Sequence, residues 1–121
     1  MGREGEFYLA KIYLTKPNGH LYSDKSYKIR PVLIIEDNGK LITCLPITSQ
    51  LNIYPASKAG RARIDIGPWY VDKHSQIICD KPTIVLPSHL FKRISICRPE
   101  DFSVIIQKYR QLKQERYNWF L

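Results

Sequence analysis

The chain has 121 residues, 44% hydrophobic and 25% charged, which suits one soluble domain with a single core and excludes disordered and fibrous classes. Its 19 Lys and Arg outweigh 11 Asp and Glu, and the resulting charge of +8 favours polyanionic partners, nucleic acid first among them. The longest purely aliphatic run, Val32 to Ile35, is far too short to span a bilayer, and the opening Met-Gly-Arg-Glu-Gly-Glu does not fit a myristoylation signal, so no membrane role is expected.

Phe7 to Leu14, Arg30 to Ile35 and Leu41 to Ile47 are rich in β-branched and aromatic residues and read as three strands. Asn38-Gly39 is a two-residue hairpin signal in which both positions accept positive φ, so the second and third strands are expected to be antiparallel neighbours. That pairing brings Arg30 and Thr48 to the same end of a sheet. Between the first two strands, Thr15 to Ile29 is a long polar segment expected to be an exposed loop. Further along, Ala62 to Ile66, Gln76 to Asp80 and Thr83 to Leu86 are short strand candidates, separated by Gly67-Pro68 and Lys81-Pro82.

Ser88 is positioned to cap a helical turn running to Phe91. Pro99-Glu100-Asp101 then opens a longer helix, with Phe102, Ile105, Ile106, Tyr109 and Leu112 recurring at three- and four-residue steps to face a core. One domain of about six short strands with a C-terminal helix follows. Cys44, Cys79 and Cys97 lie in apolar stretches, with no C-x-x-C pair and no ligand spacing to His20, His74 or His89. They read as buried, reduced thiols. With no secretory leader they point to the cytoplasm, and neither metal nor cofactor is implied.

A more specific pattern is the pairing of Lys28-Ile29-Arg30-Pro31-Val32-Leu33-Ile34-Ile35 with Leu45-Pro46-Ile47-Thr48-Ser49-Gln50 across one hairpin. Upstream stands Gly5-Glu6-Phe7-Tyr8, and downstream Ile78-Cys79-Asp80-Lys81-Pro82-Thr83-Ile84. In this order the fragments resemble the PemK/MazF family of endoribonuclease toxins, over about residues 5 to 94. The resemblance implies an SH3-like β-barrel, a homodimer with an RNA groove across it, and an acidic antitoxin protein as partner. It implies a substrate as well: single-stranded RNA, cut to leave a 2′,3′-cyclic phosphate.

Such a cleavage needs a base for the ribose 2′-hydroxyl, a cation for the crowded phosphorane and an acid for the departing 5′-oxygen. Arg30 suits the cationic role, since its guanidinium is always charged and offers fork-shaped donors to phosphate oxygens. Thr48 supplies a neighbouring hydroxyl. The resemblance carries two further catalytic candidates, His20 as proton acceptor and Asp80 as acid. One branch of the family has an Arg two residues before that Asp where this chain has Ile78, which favours chemistry built on Arg30 and Thr48. Ser49, Gln50, Lys16, Tyr22, Lys25, Tyr27 and Lys28 are the expected RNA contacts, the loop members combining aromatic rings with positive charge as unpaired bases require. Lys58, Arg61 and Arg63 either extend this basic surface or form a solvated face. Two other readings share the barrel: a non-enzymatic gyrase poison of the CcdB type, and a module that binds RNA without cutting it.

Overall fold

The computed structural model describes residues 2–13 and 27–119, with side chains described through Arg116. Seven strands and two helices make up these residues. In chain order they are β1 (Glu6–Tyr13), β2 (Tyr27–Asp37), β3 (Ile42–Thr48), α1 (Lys58–Arg61), β4 (Arg63–Gly67), β5 (Ser75–Ile78), β6 (Thr83–Val85), β7 (Leu90–Ile96) and α2 (Pro99–Trp119). A single 3-10 turn, Pro87–His89, separates β6 from β7. The strands form one antiparallel sheet in the order β4-β5-β3-β2-β1-β7, with β6 beside the first half of β3. Among the described residues no ladder joins β4 to β7, so the barrel is open.

Side chains alternate across a strand, and this sheet buries residues on both faces. Phe7, Leu33, Ile35, Leu45, Ile47 and Ile77 occupy one face together with Ile105 and Tyr109 of α2, and Phe102, Ile106 and Leu112 pack against them. The helical periodicity read from the sequence is therefore the docked face of α2. Ala10, Val32, Ile34, Ile42, Cys44 and Val85 form the other face, flanked by Tyr8, Ile12 and Leu90. Phe7 stacks on Tyr70 with ring centroids 4.8 Å apart. The Tyr70 hydroxyl hydrogen-bonds Asp101, which also pairs with Arg98 at 3.1 Å, so the β4–β5 connection is fastened to the first turn of α2.

Three sequence expectations need correction. The hairpin between β2 and β3 is not a two-residue turn, because Asp37 pairs with Ile42 and four residues lie between them. Only Gly39 has positive φ there, at 87°. Asn38 keeps negative φ because its side chain closes the turn instead: its carbonyl oxygen accepts the N–H groups of Lys40 and Leu41 at 2.9 and 2.7 Å.

The helical turn ends at His89, and Phe91 belongs to β7, a seventh strand whose adjacent Lys92 and Arg93 hid its pattern. It pairs with β1 through two register shifts, so it lacks a clean alternation. Tyr27, Lys28 and Ile29, expected in the loop, are in β2 opposite Tyr13, Ile12 and Lys11. The Tyr13 and Tyr27 rings meet at 5.7 Å and Lys11 Nζ lies 5.0 Å from the Tyr27 centroid, contacts that extend the strand pair.

Asp37, buried at the hairpin end of β2, accepts the Gly39 N–H at 2.9 Å and pairs with Arg3 at 2.9 Å. The Gly39 N–H, and then Arg3, hold its carboxyl below the usual carboxylate range against the opposing effect of burial. A lowered folded-state pKa gives stability that is present above the ordinary carboxylate value and lost as pH falls through the folded one. Asp37→Asn is therefore expected to lower Tm at neutral pH and to converge with the parent protein below that window in thermal melts run as a pH series. Leu33→Ala, which empties a fully buried position, is expected to cost about 2–5 kcal/mol in denaturant unfolding.

Candidate active-site cleft

The β2–β3 ladder runs from the hairpin to Val32↔Pro46. Pro31 and Pro46 stand at that end, where an absent N–H disrupts least. Beyond it, among the described residues, the two strands pair on their outer edges: residues 27 to 31 of β2 with β1, and Ile47 and Thr48 with β5. A cleft of about 840 Å³ opens in the gap. Arg30 and Thr48 both line it, together with Ser49 and Gln50. Extending the Val32↔Pro46 register by two residues on each strand sets Arg30 opposite Thr48, on one face of the sheet by strand alternation.

Thr48 begins a local turn in which its Oγ1 accepts the Gln50 N–H at 3.0 Å. Its own proton has no acceptor among the described residues, which leaves the hydroxyl a donor toward the cleft. Arg30 is exposed and has no carboxylate partner among the described residues. The rest of the described lining adds charge of the same sign, Lys73 from the β4–β5 connection and Lys92 and Arg93 from β7, against Asp72 as its one acid. Arg93 is partly neutralised by Glu6 at 3.4 Å. Sequence reasoning missed Lys73, Lys92 and Arg93. No local pattern marks them, because they reach the cleft from segments more than twenty residues beyond Thr48.

The other expected site residues are placed as follows. Asp80 follows β5 and does not line the cleft; it borders a depression with Lys58, Arg61 and Arg116, and its backbone carbonyl accepts the Arg116 guanidinium at 2.8 Å. Ile78 does line the cleft, apolar at the position where the resembling branch has a cation. Tyr27 and Lys28 are exposed on β2 and lie outside the lining. His20, Lys16, Tyr22 and Lys25 fall outside the described residues.

The cleft can grip a phosphodiester with a guanidinium and a hydroxyl, within a surrounding positive field. Cysteine chemistry is disfavoured: burial pushes the Cys44 and Cys79 thiols up to about 12 and Cys97 to about 11. No described helix is long and apolar enough to cross a membrane.

The chain matches the family model of PemK-like, MazF-like toxins of type II toxin-antitoxin systems over residues 8–112. Similar solved structures include an endoribonuclease in complex with its cognate antitoxin from Mycobacterial species, at 13% identity and TM-score 0.66, covering 94% of this chain and 96% of that one. The Mycobacterium tuberculosis toxin MazF-mt6 aligns at 14% identity and TM-score 0.65, over 90% and 96%. A Deinococcus radiodurans MazE-MazF crystal structure aligns at 12% identity and TM-score 0.67, over 92% and 94%. At these identities the structural likeness establishes the fold. A search of curated protein sequences finds no match.

The three thiols are expected to resist a thiol-specific reagent at pH 8 in the native protein and to react fully in denaturant. Fast native labelling would contradict their burial.

Proposed function

Because the chain belongs to the PemK-like, MazF-like toxins of type II toxin-antitoxin systems, we propose that it poisons its host cell as an endoribonuclease, cutting single-stranded mRNA at selected sequences in the Arg30–Thr48 cleft. One observation carries the reading: a permanently charged guanidinium and a donor hydroxyl border the same opening between two strands that have separated.

In this mechanism the nucleophile comes from the substrate, as the ribose 2′-oxygen next to the scissile phosphate. No metal-activated water is called for. The 2′-oxygen attacks phosphorus while its proton passes to a base, the O5′–P bond breaks, and the departing oxygen takes a proton. The products are a 2′,3′-cyclic phosphate and a free 5′-hydroxyl. Arg30 stabilises the negative charge that accumulates on the non-bridging oxygens, and Thr48 donates to one of them or to the leaving oxygen. His20 is the proposed proton acceptor. Asp80 lies beside Arg116 of α2 and not in the lining of the Arg30–Thr48 cleft, so a direct part for it calls for a contact not made among the described residues.

Lys73 and Lys92 give the strand a positively charged path, which supplies affinity without base choice. Ser49 and Gln50, at the exit of β3, are the proposed base-reading residues, and Tyr27 and Lys28 with the loop residues Lys16, Tyr22 and Lys25 extend the contact. The functional unit is proposed to be a homodimer, restrained by an acidic antitoxin protein drawn to the same positive surface. The similar solved structures include an endoribonuclease in complex with its cognate antitoxin and a MazE-MazF crystal structure, which supports an antitoxin partner.

Incubating the protein with a long single-stranded RNA in EDTA is expected to yield discrete ends carrying cyclic phosphates. Arg30→Ala is expected to lower the cleavage rate by about a hundred- to a thousandfold, the scale of one lost transition-state donor. Thr48→Val should lower it as well, and Thr48→Ser should restore most of it. RNA retained without cutting by the parent protein would make it a binder, and unaltered cleavage by a folded Arg30→Ala protein would remove Arg30 from the chemistry.

A further inference from the structure

The segment that follows Thr48 carries features that the cleavage chemistry does not use. No acidic residue occurs between Asp37 and Asp65, whereas Lys40, Lys58, Arg61 and Arg63 all fall there. Within it Ile53 and Tyr54 are 74% and 69% exposed. Single exposed apolar side chains are ordinary on a loose loop, but this loop is tied down on both sides of Tyr54.

On the near side the tie is Gln76 of β5, itself 8% exposed. Its Oε1 accepts the Asn52 N–H at 2.9 Å and its Nε2 donates to the Asn52 carbonyl at 3.3 Å. Arg63 Nη1 donates both to Gln76 Oε1 at 3.2 Å and to the Gln50 carbonyl at 3.1 Å. Asn52 Oδ1 in turn accepts the Tyr54 N–H at 2.8 Å. On the far side the Tyr54 carbonyl accepts the Ser57 N–H at 3.0 Å and the Ser57 hydroxyl at 2.7 Å. Gly60 presses against the same carbonyl so closely that a Cβ there would lie 2.1 Å from the oxygen, which explains the glycine. The backbone of Tyr54 is therefore fixed while its ring stands in solvent.

An aromatic ring held out on a fixed backbone, in a segment whose charges are all positive, suits the stacking of unpaired bases, since the backbone has little ordering entropy left to lose on binding. Gln50 lines the cleft and Tyr54 follows four residues later, at most about 14 Å of extended chain away. Resting on the ribonuclease reading, we infer that Tyr54 is a stacking platform for a nucleobase of the same RNA strand outside the cleft, with Gln76 and Arg63 as its positioning clamp. Lys58 and Arg61, a few residues beyond Tyr54 in the chain, line a depression with Arg116, Asp80 and Glu115 and would supply positive charge for the phosphates of that extension.

The test uses fluorescence anisotropy with the full chain and a 2′-O-methyl RNA, which binds but lacks the attacking hydroxyl. Two lengths are compared, one spanning only the cleft and one extended by several nucleotides at both ends. Tyr54→Ala is expected to raise Kd for the long RNA by about five- to a hundredfold, the range of one lost base stack, and to leave the short RNA nearly unaffected. Tyr54→Phe should bind like the parent protein. Gln76→Met should weaken long-RNA binding more than short-RNA binding in the parent background, and that excess loss should vanish in Tyr54→Ala, as for a residue acting through the ring. Equal Kd for Tyr54→Ala and the parent on the long RNA overturns the inference, as does an equal loss on both lengths. If the parent protein binds neither RNA, the ribonuclease reading falls and takes this site with it.

Discussion

A β-strand has two edges, and the hydrogen bonding of β3 changes along its length. Through Pro46 its inner edge is occupied by β2; beyond that point β2 stays with β1, while Ile47 and Thr48 pair outward with β5. The parting of two strands that began as a hairpin creates the cleft, and everything proposed for the site depends on it. Prolines at positions 31 and 46 suit this divergence, because neither brings an N–H to prolong the ladder. Closing the ladder by two more pairs would set Arg30 and Thr48 against each other as ordinary cross-strand neighbours, with no space for a phosphate.

A gap of this kind endures only if its walls are held from behind. Each wall has its own support. The β2 wall leans on β1, continued by the Tyr13–Tyr27 ring contact. The β3 wall is steadied by Gln76 and Arg63, which fix the backbone just past Thr48. The β4–β5 connection, which brings Lys73, is tied to α2 through Tyr70, Asp101 and Arg98. Buried amides and hydroxyls in such roles are costly unless satisfied, and no buried side-chain nitrogen or oxygen among the described residues lacks a partner. Rigid walls with exposed charge at their rims match the needs of a catalyst whose main task is to stabilise a transient negative charge.

Charge distribution also weighs between the readings that share this fold. A protein that poisons another protein has no need of an arginine and a hydroxyl across an open cleft, whereas a phosphodiester-handling protein does. Among the described lining residues, Lys73, Lys92 and Arg93 with Arg30 outnumber the one acid, Asp72, a balance that suits a polyanion. The same field would attract an acidic protein as well as a nucleic acid.

Local pattern in the sequence determined the first three strands, the antiparallel hairpin, the buried cysteines and the docked face of α2, because strand alternation, turn chemistry and helical period are properties of neighbouring residues. It also brought Arg30 and Thr48 together, since a single hairpin register links them. Where side chains substitute for backbone, local signals misled: Asn38 closes the turn with its amide and keeps negative φ. Tertiary structure alone decided that Lys73, Lys92 and Arg93 share the cleft, that Asp80 stands apart from it, and that Gln76 is a buried clamp. Each of those outcomes depends on pairing between segments distant in the chain, β3 with β5 and β1 with β7, and no periodicity within either segment encodes which partner it will meet.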